Sequence, residues 1–542
     1  MSTSLLFTIV TVAICLALIP LLQIYVDEIQ TVIRVFDGAA ANMASWLLAF
    51  IAFCTAWTWF SWFSHYSLGS RRAVSIAPVV FAIIAMACLR FEGVDGYMKP
   101  SFVPRWYPIE ENSLDQAPAS LPTASVADST APATETGGPG IDLTTETTAD
   151  FAQFLGPTRS NWVPDTQLAS DWKENPPREV WKHNVGPGWA GFAVRNGYAV
   201  TMEQRGPDEW ITCYRVADGE LVWHHAAPGR HDNPLGGLGP RSTPTIHEGR
   251  VYAQGATGLV RCLDGATGKL LWEDDLLKRY GLTQSQAERK VQWGRSGSAL
   301  IVNNLVVFPA GGEGKNLHSL IAYDRVTGEV VWEAGDDQIS YASPVFAKVA
   351  GVDQIVAVNE VTLAGYDPQT GKELWRHDWQ GNSSGDANVS QAFPLDGDRL
   401  FISKGYGQGS SLLKINADGD KLSAETVWAS RRVLKTKFTN VTIIGEHAYG
   451  LSDGVLECVE IATGKSRWRS GRYGHGQVLG VGQQLIVLSE DGELVLVAAN
   501  PEKAEVRGKF QAIEGKTWNN LCLSGKLLLV RNGQEAACFE LP

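Results

Sequence analysis

Positive charge is scarce in this chain, and over one stretch it is missing altogether. Lys and Arg number 46 against 58 Asp and Glu, a formal net charge of −12. Contact with a phosphate backbone needs a basic face, so the balance argues against a nucleic-acid partner. Residues 111–150 hold no Lys or Arg, carry seven acids and are rich in Pro, Ala, Ser and Thr. A segment with so little to bury is expected to be a disordered linker. Cysteine is also sparse. None of the eight is adjacent to another, and no C-x-x-C or C-x-x-C-H occurs, so neither a paired-cysteine metal site nor a c-type haem is expected. Cys15, Cys54 and Cys88 fall in apolar runs; Cys213, Cys262, Cys458, Cys522 and Cys538 are scattered over the rest. They read as small buried hydrophobes, with a Cys522–Cys538 disulfide the one pairing considered. No Ser-His-Asp, paired-carboxylate or H-E-x-x-H pattern rises above chance, and no metal site is expected.

What the chain does have comes in two kinds. The first is three long apolar runs near the start, at about 4–26, 43–63 and 73–89. Each is long enough to cross a hydrocarbon core of about 30 Å. The first lacks a basic leading region and a small-x-small site, so it reads as a span and not as a cleaved signal. Arg71 and Arg72 sit between the second and third runs, which puts that loop in the cytoplasm. Residues after 89 then lie outside it. Trp57, Trp59, Trp62 and Tyr66 suit an interfacial belt, and no span carries a charge in its middle, so the runs read as an anchor. The expected organisation is a membrane anchor over 1–105, a linker over 106–150 and a folded domain over 151–542.

The second is a repeat. From residue 151 onward a pattern returns: an aliphatic or Tyr residue, Asp, two residues, Thr-Gly, Lys or Glu, two more, then Trp. It is read at 214–223 (Tyr-Arg-Val-Ala-Asp-Gly-Glu-Leu-Val-Trp), 263–272, 323–332, 366–375 and 459–468, with a degenerate copy from Ile415 to Trp428. Asp and Thr-Gly build a hairpin turn in which Gly takes the positive φ. The strand that follows ends in Trp, whose ring packs on the neighbouring unit. Trp223, Trp272, Trp332, Trp375, Trp428 and Trp468 are therefore structural. Counting from Trp181 to Phe510, the markers fall 42, 49, 60, 43, 53, 40 and 42 residues apart. Units of about 40–50 residues with several short strands make an all-β propeller. Trp181 has no strands of its own before it, and the last 25 residues supply about three strands without a final Trp. Joining the two gives eight blades and removes the open edges.

These motifs resemble those of the pyrroloquinoline-quinone (PQQ) repeat family, over residues 151–542. That family includes quinoprotein alcohol dehydrogenases and a bacterial outer-membrane assembly factor built as an eight-bladed propeller. The opening Phe-Ala-Gln-Phe-Leu-Gly-Pro-Thr-Arg at 151–159 also looks like the entry segment of quinoprotein-like propellers. The resemblance implies the fold more than a bound cofactor. The dehydrogenases carry an adjacent Cys-Cys pair and calcium ligands that have no counterpart here.

Aligning the blades on their turns places Trp189, Arg241, Arg295, Tyr341, Ser390, Asn440, His475 and Trp518 at one mouth of the central channel. Such a set could hold an aromatic or anionic ligand. Residues 280–293 lengthen one connection into a surface helix or loop, a candidate docking element. His224, His225 and His231 read as solvated loop histidines, with metal binding as the alternative. Taken together, the expectation is a bacterial inner-membrane protein with its propeller in the periplasm. It leans to a non-catalytic scaffold for envelope proteins or polymers that needs no cofactor. The alternative is a dehydrogenase using PQQ with calcium and passing electrons to membrane quinone.

Overall fold

The computed structural model describes residues 3–33, 36–107, 141–419 and 421–542. The chain divides into two units, 1–109 and 110–542.

In the first unit three helices, Thr3–Ile24, Gly38–Phe63 and Leu68–Cys88, have mean hydropathies of 2.8, 1.6 and 1.7 over their most apolar windows. All three are long and apolar enough to cross a membrane. Arg71 and Arg72 are not in a loop, as the sequence suggested, but within the first two turns of the third helix. Arg71 reaches back to the end of the second helix. It donates to the carbonyls of Ser61 (Nε, 2.9 Å) and Trp62 (Nη2, 2.7 Å), which have no partner within their own helix. A hairpin, Leu89–Val94 with Pro100–Pro104, follows the third helix.

The second unit is an eight-bladed β-propeller. Blades 1 to 7 span residues 193–228, 245–275, 300–334, 345–378, 393–430, 442–470 and 477–511. Blade 8 is made of Cys522–Ser524, Leu527–Arg531 and Glu535–Glu540, completed by Arg178–Asn184. Trp181 pairs with Cys538 in that closure, as the spacing of the markers predicts. In blades 1 to 7 the four strands of the repeat run antiparallel in chain order from the channel outward; in blade 8 the outermost strand, Arg178–Asn184, comes first in the chain. Middle strands are buried except at their ends, as at Leu259–Asp264, while outer strands such as Leu270–Asp275 alternate in exposure.

The repeat motif explains how the blades lock together. In blade 2, Asp264 Oδ1 accepts from the backbone N–H (2.9 Å) and the hydroxyl (2.6 Å) of Thr267, and Gly268 follows at φ 71°. The Trp that ends most blades then reaches into the turn of the next; blade 7 carries Phe510 at that place. Trp223 Nε1 donates to Gly265 O (2.9 Å), Trp428 to Ile461 O (2.8 Å), Trp468 to Asn500 O (2.7 Å) and Trp181 to Val216 O (2.8 Å). Trp375 departs from the rule. Its neighbour, blade 5, carries the degenerate motif and forms a long hairpin, Gly409–Asp418 with Lys421–Ser430. With no standard turn to reach, the indole donates within its own blade to Gln354 Oε1 (2.5 Å).

Most of the expected linker, 108–140, lies outside the described residues. Its last ten residues run along the turns between the first and second strands of blades 1 and 2. Leu143 is buried and accepts from Gly249 N (3.2 Å), and Asn196 Nδ2 donates to Asp142 O (3.1 Å). The chain then enters the channel from that face. Phe151 bridges to Val194 of blade 1, and Ile246 N of blade 2 donates to Ala152 O (2.8 Å). Arg159, buried, donates to Ala299 O of blade 3 and to Pro344 O (2.6 Å) at the start of blade 4. Gln391 Nε2 donates to Arg159 O (2.6 Å). Asn161 Nδ2 donates to Val441 O (3.2 Å) and Val478 O (2.7 Å), at blades 6 and 7. Trp162–Val163 finally adds a parallel strand to blade 7. Residues 151–163 thus plug one end of the channel and touch seven blades.

One pairing left open by the sequence closes, and one further expectation needs correcting. Cys522 and Cys538 each pair across strands with Leu529, so a whole strand separates them. At about 4.8 Å per strand spacing that exceeds the reach of a disulfide. His224 and His225 are not loop residues: they lie in the strand Leu221–Pro228, and both are buried, as is His231. His224 stacks on Trp210 at 4.1 Å.

Candidate functional site

The mouth opposite the plug is formed where each blade-to-blade connection turns into an innermost strand. The eight residues assigned to it from sequence separate into three groups, the third of which, His475 and Arg295, is buried behind the rim. Trp189, Arg241, Tyr341 and Trp518 stand at the rim. Ser390 and Asn440 lie deeper, in a belt of hydrogen bonds that joins neighbouring blades.

The belt runs the whole way round. Gly191 N donates to Thr243 Oγ1 (3.0 Å), Thr243 N to Ser298 Oγ (2.9 Å) and Ser298 N to Ser343 Oγ (2.9 Å). Tyr341 N donates to Asn388 O (2.9 Å) and Gln391 N to Asn440 Oδ1 (3.0 Å). Gln477 Nε2 donates to Phe438 O (3.2 Å) and Trp518 O (2.8 Å), and Asn519 Nδ2 donates to Ala190 O (2.8 Å) across the closure. Ser390 Oγ donates to Thr439 O (2.7 Å). Short polar side chains at these positions satisfy backbone groups that the pleated ladder leaves open inside a buried wall.

The rim is an aromatic collar. Trp189 and Trp518 lie with ring centroids 4.9 Å apart, Trp518 and Phe438 5.0 Å, and Phe438 and His475 5.4 Å. Trp189 Nε1 donates to Gly236 O (2.8 Å), which also accepts from Arg241 Nη2 (3.0 Å). Gly236 in turn faces Trp293 so closely that a Cβ would stand 2.9 Å from its ring. Trp293 N donates to Tyr341 Oη (3.1 Å), and Tyr341, Tyr406, Trp293 and Phe438 share one apolar cluster. Two ammonium groups sit on this ring. Lys516 Nζ is 4.5 Å from the Trp518 centroid and 5.3 Å from that of Trp189; Lys437 Nζ is 5.2 Å from that of Tyr406. Glu490 anchors the arrangement, accepting from Trp518 Nε1 (2.7 Å) and His475 N (3.0 Å).

His475 and Arg295 are almost fully buried behind the rim. Burial lowers the Arg295 pKa to about 10 and that of Arg241 to about 10. Sequence reasoning missed Trp293, Tyr406, Lys437, Phe438 and Lys516. Trp293 and Phe438 each lie two residues before an assigned position. In extended chain two residues keep the same facing but move about 6.6 Å along the strand. Aligning the connections on their aromatic residues, and not on the hairpin turns, finds them.

The residues of this mouth do not fit PQQ with calcium. Among the described residues no group of three or more His, Cys, Asp or Glu stands together to hold a metal ion. The propeller cysteines are single and buried in separate strands, apart from the two in blade 8 that Leu529 divides. The indoles of Trp189 and Trp518 touch each other at 4.9 Å, whereas a planar ring held between two aromatic faces needs them about 7 Å apart, twice a contact distance of about 3.5 Å.

A family model described as outer membrane protein assembly factor BamB matches residues 174–290 and 207–470, together more than half of the chain. Among curated proteins, quinohemoprotein alcohol dehydrogenase ADH-IIG of Pseudomonas putida is 23% identical over 351 residues, 57% of this chain and 44% of that protein. The 1-butanol dehydrogenase (quinone) of Thauera butanivorans is 24% identical over 199 residues, 34% of this chain and 29% of that protein. The chain therefore spans less than half the length of the curated relatives it matches. The solved structure of ADHIIG from Pseudomonas putida HK5 superposes with a TM-score of 0.52 at 13% identity, covering 74% of this chain and 81% of that one. At that identity the likeness is one of fold.

Proposed function

Because the chain belongs to the PQQ-repeat β-propeller family, we propose that it is a non-catalytic scaffold held at the bacterial inner membrane, with its propeller in the periplasm. In this reading residues 1–105 are the anchor, 106–150 the tether, whose last ten residues pack on blades 1 and 2, and 151–542 the binding domain. The basic pair Arg71 and Arg72, at the junction of the second and third helices, supports a cytoplasmic position for that junction and an outside position for everything after the third helix. The observation that carries the scaffold reading is the collar. It is a preformed ring of aromatic residues with Arg241, Lys437 and Lys516 among them. Aromatic and Arg side chains are the residue types that dominate protein interfaces. A belt of hydrogen bonds holds it rigid, which lowers the entropy lost on binding. The partner is an envelope protein or polymer.

The test is chemical crosslinking in intact cells followed by purification from solubilised membranes, with wild type beside a Lys516→Ala, Trp518→Ala double variant. A defined partner captured by wild type and lost in a folded variant supports the reading; equal capture by both sinks it. The curated relatives favour a second reading, a dehydrogenase that uses PQQ and donates electrons to quinone. Adding PQQ and calcium and following dye reduction with alcohols or sugars decides between them, since turnover would overturn the scaffold.

A further inference from the structure

The lengthened connection after blade 2 covers a groove that the collar does not use. Asp275 accepts from Leu277 N (2.9 Å) and Lys278 N (3.2 Å) to start the helix Leu276–Tyr280. Thr283 starts the helix Gln284–Lys290 through a reciprocal pair of bonds with Gln286. Between these helices and blades 1 and 2 lies a groove of about 620 Å³. That is within the range of small-molecule sites, about 300–1,000 Å³. Behind it is a cavity of about 10 Å³ bordered by His231 and Arg295, room for a single water. The two spaces share Thr257, Leu277, Gln284 and Glu288 as walls.

Two buried polar groups border that inner cavity. His231 is 3% exposed, and its Nε2 is buried with no hydrogen-bond partner. Arg295 is also 3% exposed. A guanidinium carries five donors; Arg295 Nη1 donates to Ala310 O (2.6 Å). Burial holds both pKa values down, that of His231 to about 3 and that of Arg295 to about 10. The outer groove has the opposite character. Glu288, Asp275 and Asp232 line it, with Arg230 within 3.4 Å of Asp232. A ligand suited to both ends carries an anionic group inward and a cationic group outward.

We propose that this groove binds a small zwitterion of the amino-acid class, its carboxylate held by Arg295 and His231 and its ammonium group by Glu288. A carboxylate matches the planar fork of a guanidinium and accepts from the imidazole N–H. The inner cavity as it stands holds one water, so Leu277, which borders both spaces, must turn aside before the carboxylate can reach Arg295 and His231. The site goes beyond the scaffold reading and does not depend on it, since none of these residues belongs to the collar.

Calorimetric titration of the full chain in detergent with glycine, L-leucine, L-lysine and L-glutamate tests it. At least one should bind in the millimolar range or tighter. The same compound stripped of its carboxylate, or of its amine, should bind at least tenfold more weakly. Glu288→Gln, on a surface helix, should weaken the amino acid tenfold and leave the amine-free acid unchanged. Leu277→Trp, which fills the groove, should abolish binding with the unfolding midpoint retained. Failure of all four amino acids to bind, equal affinity for the stripped forms, or equal affinity for inorganic phosphate would overturn the proposal. The Lys516→Ala, Trp518→Ala double substitution, at neither His231 nor Arg295, should leave this binding unchanged, so the two readings fail separately.

Discussion

Gly268 lies against the indole of Trp223, so close that a Cβ on the glycine would stand 2.7 Å from Trp223 Cε3. The same relation links Gly219 with Trp181, Gly328 with Trp272, Gly371 with Trp332 and Gly464 with Trp428. The glycine of each turn therefore does two things: it adopts a positive φ, and it leaves a flat seat for the Trp of the preceding blade. Gly197, at φ 81° with nothing within 4 Å, serves as a control that has the first constraint alone. Gly197→Ala should cost about 1 kcal/mol for the left-handed backbone. Gly268→Ala should cost about 3 kcal/mol, because overpacking adds its own penalty. Urea unfolding of the two variants measures the difference, and equal costs would mean the indole yields freely.

Ring closure gives a second expectation. Trp181 belongs to the strand Arg178–Asn184, pairs with Cys538, and donates to Val216 O (2.8 Å) in blade 1. It thereby ties the last blade to the first. Trp181→Ala should cost about 4 kcal/mol, in the range for a buried aromatic. The loss should be local before it is global. Hydrogen exchange should rise first in Glu535–Glu540 and Arg178–Asn184, with blades 3 to 5 protected until the whole ring opens.

The architecture was legible because the turn-and-Trp unit repeats, and each copy states the same local physics. The degenerate copy at 415–428 is where the rule fails, at Trp375, although the sequence reading grouped that Trp with the others. The mouth was legible only in part. Trp189 and Trp518 were found because the turn alignment happens to be in register there; Phe438 and Trp293 were missed by two residues. The channel plug was not legible at all. Arg159 and Asn161 act through contacts with blade carbonyls 139 or more residues away, such as Pro344 and Val478, and no local pattern encodes such partners. Nor could spacing reveal that His231 and Arg295, read as unrelated features, border one cavity.

The helical unit carries a testable pairing of its own. Pro78 lies inside the helix Leu68–Cys88, and its missing N–H leaves the carbonyl of Val74 without its helical donor. Trp57 Nε1, from the neighbouring helix, donates to that carbonyl (3.0 Å). In a hydrocarbon setting an open carbonyl is costly, so the indole compensates for the proline. Trp57→Phe should destabilise the helix pair by about 1 kcal/mol, within the span measured for interhelical hydrogen bonds. In a Pro78→Ala background residue 78 supplies the donor itself, and the same substitution should cost much less. A double-mutant cycle by unfolding in mixed micelles reads the coupling; additive costs would show that the two residues act independently.

Acid should weaken the propeller through its buried histidines. Burial, with Arg261 and His224 adding to it, lowers the pKa of His225 to about 4, and burial with Arg241 lowers that of His231 to about 3. Both sit far below the value of about 6.5 for an unfolded chain. Between those limits the unfolded state binds protons that the folded state refuses, so stability rises with pH across the window. The contribution is complete above pH 6.5 and drains away as pH falls toward 4, the reverse of a histidine that gains an acidic partner. Replacing His225 with Gln, which keeps a polar side chain of similar length but cannot be protonated, should flatten part of that slope. Thermal unfolding midpoints from pH 7.5 down to about 4.5 measure it. A midpoint that does not move over that range, or moves equally in His225→Gln, would show that these rings are already charged in the fold or reach solvent freely.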